Sequence, residues 1–249
     1  MGRKLPMSAS PAIAFGSVFL LLFVFYVIYE TTSWSGDPST QQKLNKVNFA
    51  GDSKYVSPPG TGRSAMLTLR GDGSHSMRYI TGGTAGSKKP TFILIHGASS
   101  KQNAEYWEPN FQLLSSFGQF YALDCFGHGS STGSPSSEKD VVAIKELIAE
   151  QDINDDIVFV ARSAGGAKLM KVLEDEEIAA KVDRLILIAP AIAHTTVPAA
   201  AKGKKVLLFW AEKDPVISER NADLVASSFN EVTRYTFQGI ESHVPEMLA

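Results

Sequence analysis

A serine, an aspartate and a histidine stand in that order along this chain, each among neighbours that suit it to chemistry. Ser163 lies in Ala161-Arg162-Ser163-Ala164-Gly165-Gly166, directly after the apolar run Ile157–Val160 and before a helical pattern. A serine on a sharp strand-to-helix turn requires small neighbours, because the turn leaves no room for side chains. Ala161, Ala164 and Gly165 meet that requirement. The helix start also favours negative charge beside Ser163, as a tetrahedral oxyanion would need. A neutral serine hydroxyl is a poor nucleophile, so an imidazole must take its proton and a carboxylate must hold the imidazole in the right tautomer. Asp214 follows the run Lys205–Trp210 within Ala211-Glu212-Lys213-Asp214-Pro215, and of the five histidines only His243 lies beyond it. Glu212 is the alternative acid.

A tetrahedral oxyanion also needs donors. The run Thr91–Ile95 ends in His96-Gly97-Ala98-Ser99-Ser100, a glycine loop able to turn the Ala98 N–H toward the same point as the Ala164 N–H. Two such donors would make an oxyanion hole. His96 and His128 are expected to hold their loops by hydrogen bonds, and His75 and His194 to be solvated, His194 also being placed to line a pocket. Cys125 is expected to be a small packed side chain. Gly127-His-Gly129-Ser-Ser-Thr132 approaches a dinucleotide fingerprint, but Thr132 stands where glycine is needed and Gly133-Ser134-Pro135 prevents an immediate helix. Gly82 to Lys89 misses the phosphate-loop spacing and runs into Pro90. No cofactor is expected.

The elements that must position these residues alternate along the chain. Ala65–Arg70 and Ser76–Thr81 read as a hairpin turning through Gly71-Asp72-Gly73. Thr91–Ile95, Gln119–Leu123, Ile157–Val160, Arg184–Ile188 and Lys205–Trp210 are nearly continuous apolar runs, as expected of strands buried on both faces of a parallel sheet. Helical patterns cover Glu105–Phe117, Ser137–Glu150, Ala164–Glu174 and Ser218–Phe229. This alternation predicts a doubly wound, mostly parallel α/β domain with an antiparallel start and its functional residues at the carboxyl ends of strands.

Four motifs in order, the His96-Gly97 loop, Asp124-Cys125-Phe126-Gly127-His128-Gly129-Ser130-Ser131, the Ser163 turn, and Asp214 with His243, resemble those of an α/β-hydrolase from about Ser64 onward. The resemblance implies that Ser163 is the nucleophile, His243 the general base and then acid, and Asp214 the group orienting the imidazole. It implies a serine hydrolase acting on a small ester, thioester or related acyl substrate through an acyl-enzyme. An acyltransferase would use the same triad, and the rival reading is a catalytically silent binding module. Between Ile188 and Lys205 there is too little chain for a lid, so an open site is expected, flanked by Ala98, Ala164, Ala191, Ile192 and Val216. After His243 six residues follow, fewer than the closing helix the resemblance implies. Two expectations result: a weakly supported His243 loop, or a sequence cut short at its C terminus.

The composition limits the remaining possibilities. Lys+Arg 24 against Asp+Glu 26 leaves the chain nearly neutral, which removes the electrostatic case for a nucleic-acid partner. A single cysteine excludes an internal disulfide and a cysteine-based zinc site. Ala12–Tyr29 is uncharged and apolar, and its 18 residues reach roughly 27 Å as a helix, close to a bilayer core. With Arg3 and Lys4 before it and no small-x-small cleavage site after it, an uncleaved single-pass anchor is expected. The resulting division is a short tail over 1–11, a membrane helix over 12–29 with the lipid bilayer as partner, a linker rich in Ser, Gly and Pro over 30–63, and the α/β domain over 64–249.

Overall fold

A computed structural model describes the backbone of residues 3–5 and residues 62–71, 73–84, 90–237, 239 and 241–243. Nine strands form a single sheet: β1 (Arg3–Leu5), β2 (Arg63–Thr68), β3 (Ser76–Gly82), β4 (Thr91–Ile95), β5 (Gln119–Leu123), β6 (Ile157–Arg162), β7 (Val182–Ile188), β8 (Lys205–Ala211) and β9 (Glu231–Phe237). Their spatial order is β1-β9-β8-β7-β6-β4-β5-β3-β2. Only β3 runs against the others, pairing antiparallel with both β2 and β5. The hairpin and the central parallel strands follow the expected pattern.

The apolar runs are continuous because the sheet is covered on both faces. One face carries Ile93, Phe159, Leu185 and Leu208 against α2 (Ser137–Glu150), α3 (Ala164–Val172) and α4 (Glu176–Lys181). The other carries Phe92, Phe120, Val158 and Phe209 in a cluster with Trp107, Phe111 and Leu114. Those last three come from the expected helix over 105–117, which divides into a 3₁₀ segment, Ala104–Asn110, and α1, Phe111–Phe117. Pro109 lies inside the 3₁₀ part and lacks the N–H that an α-helical ladder would use. Two further helices are short: α5 (Ala199–Lys202), between β7 and β8, and α6 (Asn221–Ser227).

Among the described residues no helix is long and apolar enough to cross a membrane. The expected anchor, 12–29, lies outside the described residues, as does most of the expected linker. Within the expected tail over 1–11, Arg3–Leu5 instead forms β1, which pairs parallel with β9 from Arg3 opposite Tyr235 to Leu5 opposite Phe237, so that part of the tail belongs to the domain sheet.

Candidate active site

β6 ends at Arg162 and α3 begins at Ala164, so Ser163 makes the turn alone. Its φ of 50° and ψ of −122° lie where a non-glycine residue costs about 1–3 kcal/mol. Three main-chain hydrogen bonds hold it there. The Ser163 N–H donates to Ile188 O at 3.0 Å, and Ser163 O accepts the N–H groups of Gly166 and Ala191, both at 2.9 Å. The small neighbours are required by close approach. A Cβ on Gly165 would lie 2.6 Å from Ile95 O and 2.8 Å from His96 O, and a Cβ on Gly97 would lie 3.1 Å from Ser163 Cβ.

His243 bridges the other two members of the expected set. Its Nδ1 is 2.8 Å from Asp214 Oδ2 and its Nε2 is 3.0 Å from Ser163 Oγ. Asp214 lies three residues past β8, with a buried side chain whose Oδ1 accepts the N–H groups of Val216 and Ile217, each at 2.8 Å. Those two bonds use one oxygen and leave the other for the imidazole. A carboxylate accepts only, so Nδ1 carries the proton of this bond and Nε2 presents its lone pair to the serine hydroxyl. The alternative acid, Glu212, is engaged elsewhere: its Oε2 accepts the Gly239 N–H at 2.6 Å, at the start of the segment bearing His243.

The loop after β4 is built around a second side chain. Gln102 Oε1 accepts the Gly97 N–H at 2.7 Å, which leaves Ala98 as the next donor along the loop. His96 Nδ1 lies 2.6 Å from Gly97 O, while its Nε2 accepts the Cys125 N–H at 3.0 Å. Burial pushes this imidazole down to about 4. His128 has Nδ1 3.1 Å from Phe126 O and Nε2 3.4 Å from Ala98 O. Both histidines thus tie loops together. His194 is exposed, but His75 is half-buried, with its ring edge-on to Phe126 at 6.1 Å and its Nε2 2.7 Å from Lys139 Nζ. That corrects the solvated expectation for His75, whose short polar sequence context gave no sign of Phe126 nearby.

Cys125 is fully buried and its thiol is pushed up to about 12 by burial, so it stays protonated. Ala98 and Ala191 are exposed, Ser163 and Ala164 are half-buried, and the segment joining β7 to β8 holds only α5. Among the described residues no three His, Cys, Asp or Glu side chains converge as a metal site would need. Sequence reasoning missed Gln102, Arg162 and Tyr106. Gln102 accepts from the Gly97 main chain, Arg162 donates to the His243 main chain, and the Tyr106 ring lies under the Arg162 guanidinium, contacts that no spacing rule marks.

Residues 92–244 match the alpha/beta hydrolase family, and the chain belongs to it. Among solved structures, the fold is similar to a serine hydrolase from Cycloclasticus zankles at 13% identity and TM-score 0.60, over 75% of this chain and 93% of that one. It is similar to naproxen esterase from Bacillus subtilis at 14% identity and TM-score 0.59, over 75% of this chain and 87% of that one. An esterase from a Rhodococcus species aligns at 15% identity and TM-score 0.59, over 74% of this chain and 92% of that one. At these identities the likeness is one of fold. No curated protein matches the chain.

Proposed function

We propose that the protein is a serine hydrolase that cleaves an ester, thioester or related acyl bond through an acyl-enzyme. The observation that carries this reading is the two-sided engagement of His243, with Nε2 3.0 Å from Ser163 Oγ and Nδ1 2.8 Å from Asp214 Oδ2. In the reaction, Nε2 takes the Oγ proton as Oγ attacks the acyl carbon, and the imidazolium that forms is stabilised by Asp214. The N–H groups of Ala98 and Ala164 receive the oxyanion. Collapse of the tetrahedral intermediate expels the leaving group, which takes the proton from Nε2. Water then attacks the acyl carbon as Nε2 takes one of its protons, and collapse breaks the bond to Oγ, which takes that proton back and releases the carboxylic acid. The named activities of structurally similar proteins, serine hydrolase and naproxen esterase among them, agree with this chemistry. Ala98 and Ala191 are exposed beside a half-buried Ser163, which leaves the site open to solvent.

The test is labelling by a fluorophosphonate probe beside Ser163→Ala and His243→Ala. The expected outcome is wild-type labelling at Ser163 and loss of nearly all reactivity in both variants, members of such a unit each being worth about 10⁶ in rate. A folded wild-type protein that fails to label would favour the silent binding module. Turnover that rises with added alcohol or amine would favour an acyltransferase.

Attachment to a bilayer through residues 12–29 is a separate proposal that rests on the uncharged apolar run alone, and it competes with the pairing of β1 with β9, because a helix spanning the bilayer there would part Arg3–Leu5 from the domain. It predicts that the full chain stays in the membrane pellet through an alkaline carbonate wash.

A further inference from the structure

Arg162, the residue before the candidate nucleophile, is 2% exposed, and a buried charge is costly unless its surroundings engage it. Two groups engage its guanidinium and the loop after β4 passes beside it. Nη2 donates to His243 O at 3.1 Å, the guanidinium carbon lies 5.2 Å from the centre of the Tyr106 ring, and Nη1 would be 3.3 Å from a Cβ on Gly97. These groups come from three separate segments, the His243 segment, the 3₁₀ segment, and the loop after β4. Ser163 stands between them in the chain, joined to Arg162 by one peptide bond.

We propose that Arg162 is the positioning residue of this site, its guanidinium seated on Tyr106 and holding the His243 carbonyl so that the imidazole stays over Ser163. The inference rests on the hydrolase reading above and adds to it the group that sets the base. Two other contacts hold the His243 segment at different points. Glu212 Oε2 holds the segment at the Gly239 N–H, four residues before the histidine, and Asp214 holds the ring. Neither bond fixes the histidine's own main chain. The bond from Arg162 does, and it does so from the strand end that also bears the nucleophile, so both reacting groups share one rigid support. Arginine suits the task because its planar fork can stack on a ring and donate in its own plane at the same time. Lysine offers a point charge without the plane.

The experiment uses the full chain as wild type, Arg162→Met, Arg162→Lys and Tyr106→Leu, with the fluorophosphonate labelling rate and kcat and KM for a short p-nitrophenyl ester. A base displaced by about 1 Å costs on the order of a hundredfold. Arg162→Met should therefore lose about that factor in kcat and labelling rate, with KM within about twofold. Arg162→Lys should recover part of the loss, and Tyr106→Leu should show a smaller loss of kcat with KM again unchanged. A folded Arg162→Met that labels at the wild-type rate overturns the proposal, as does a rise in KM with kcat intact, which would place Arg162 on the substrate. Where Arg162→Met does not fold, Arg162→Lys and Tyr106→Leu decide in the same way. The far-downfield Nδ1 proton of His243, read by NMR, keeps this test separate from that of the hydrolase reading. Present in wild type and broadened or lost in Arg162→Met, it supports the positioning role even where no labelling occurs. Unchanged in the variant, it overturns that role even where wild type labels.

Discussion

Asp214 gives its two oxygens different tasks: Oδ1 takes the N–H groups of Val216 and Ile217, and Oδ2 takes His243. Replacement by asparagine keeps an oxygen for one task only. With the amide oxygen left on the main-chain donors, the NH₂ group faces Nδ1 and forces the imidazole into the tautomer that presents N–H, not a lone pair, to Ser163. Asp214→Asn should therefore keep its fold and lose about 10⁴ in kcat, the size of effect that tautomer reversal produces in such triads. Labelling rate and thermal unfolding together check this, and near-normal labelling by a folded variant would turn attention to Glu212. Ser163, Asp214 and His243 were readable in the sequence because each sits just past an element and their chain order restricts the choice. Arg162 and Gln102 were not, since both act on peptide groups, which have no side-chain identity to read. Gln102 meets Gly97 across five positions, but Arg162 meets His243 across eighty-one.

Elements show the same division between what a pattern reveals and what packing decides. The central strands are apolar on both faces and were legible. β9 was not, because Glu231-Val-Thr-Arg-Tyr-Thr-Phe237 is neither a continuous apolar run nor a regular alternation, Thr233-Arg234 breaking the phase, and it is only partly buried. Yet β9 leads into the His243 segment and pairs with β8 throughout its length, from Lys205 opposite Glu231 to Ala211 opposite Phe237. Arg234 fastens it further, pairing with Glu219 and, at 2.5 Å, with Asp223. The helix behind Ser163 is also fastened by charge. Lys168 on α3 lies 2.7 Å from Asp140 Oδ2 on α2, both buried, while Asp140 Oδ1 accepts the Phe126 N–H at 2.7 Å. Lys168→Met would leave Asp140 charged and uncompensated, a loss of about 3–5 kcal/mol. Adding Asp140→Asn removes that charge while keeping an oxygen for Phe126. The double variant should then recover most of the stability in urea unfolding, and equal losses in single and double variants would show that the pair contributes little beyond packing.

Across the whole molecule, the parallel strands place their carboxyl ends along one edge of the sheet, and the loops there are joined to each other as well as to the strands. His96 is the central joint. It follows β4, and its two nitrogens face Gly97 O on its own loop and the Cys125 N–H on the loop after β5. Because Nε2 already accepts a hydrogen bond, a second proton on the ring would point N–H against N–H, and burial pushes the imidazole down to about 4 for the same neutral state. In the unfolded chain a histidine titrates near 6.5. Below that value the unfolded state binds the proton that the folded state refuses, so stability must fall as pH drops from about 6.5 toward 4. By linkage the loss is about 2–3 kcal/mol between pH 7.5 and pH 4.5. Carboxylates also titrate over part of this range, so the contribution of His96 has to be isolated by difference. His96→Asn offers a donor for Gly97 O but no group that titrates. It should be less stable than wild type at pH 7.5, and the gap should narrow by about 2–3 kcal/mol at pH 4.5 in urea unfolding. Parallel stability curves for the two proteins would mean that His96 takes up its proton in the folded state at an ordinary pH, and that the joint between the two loops opens to let it in.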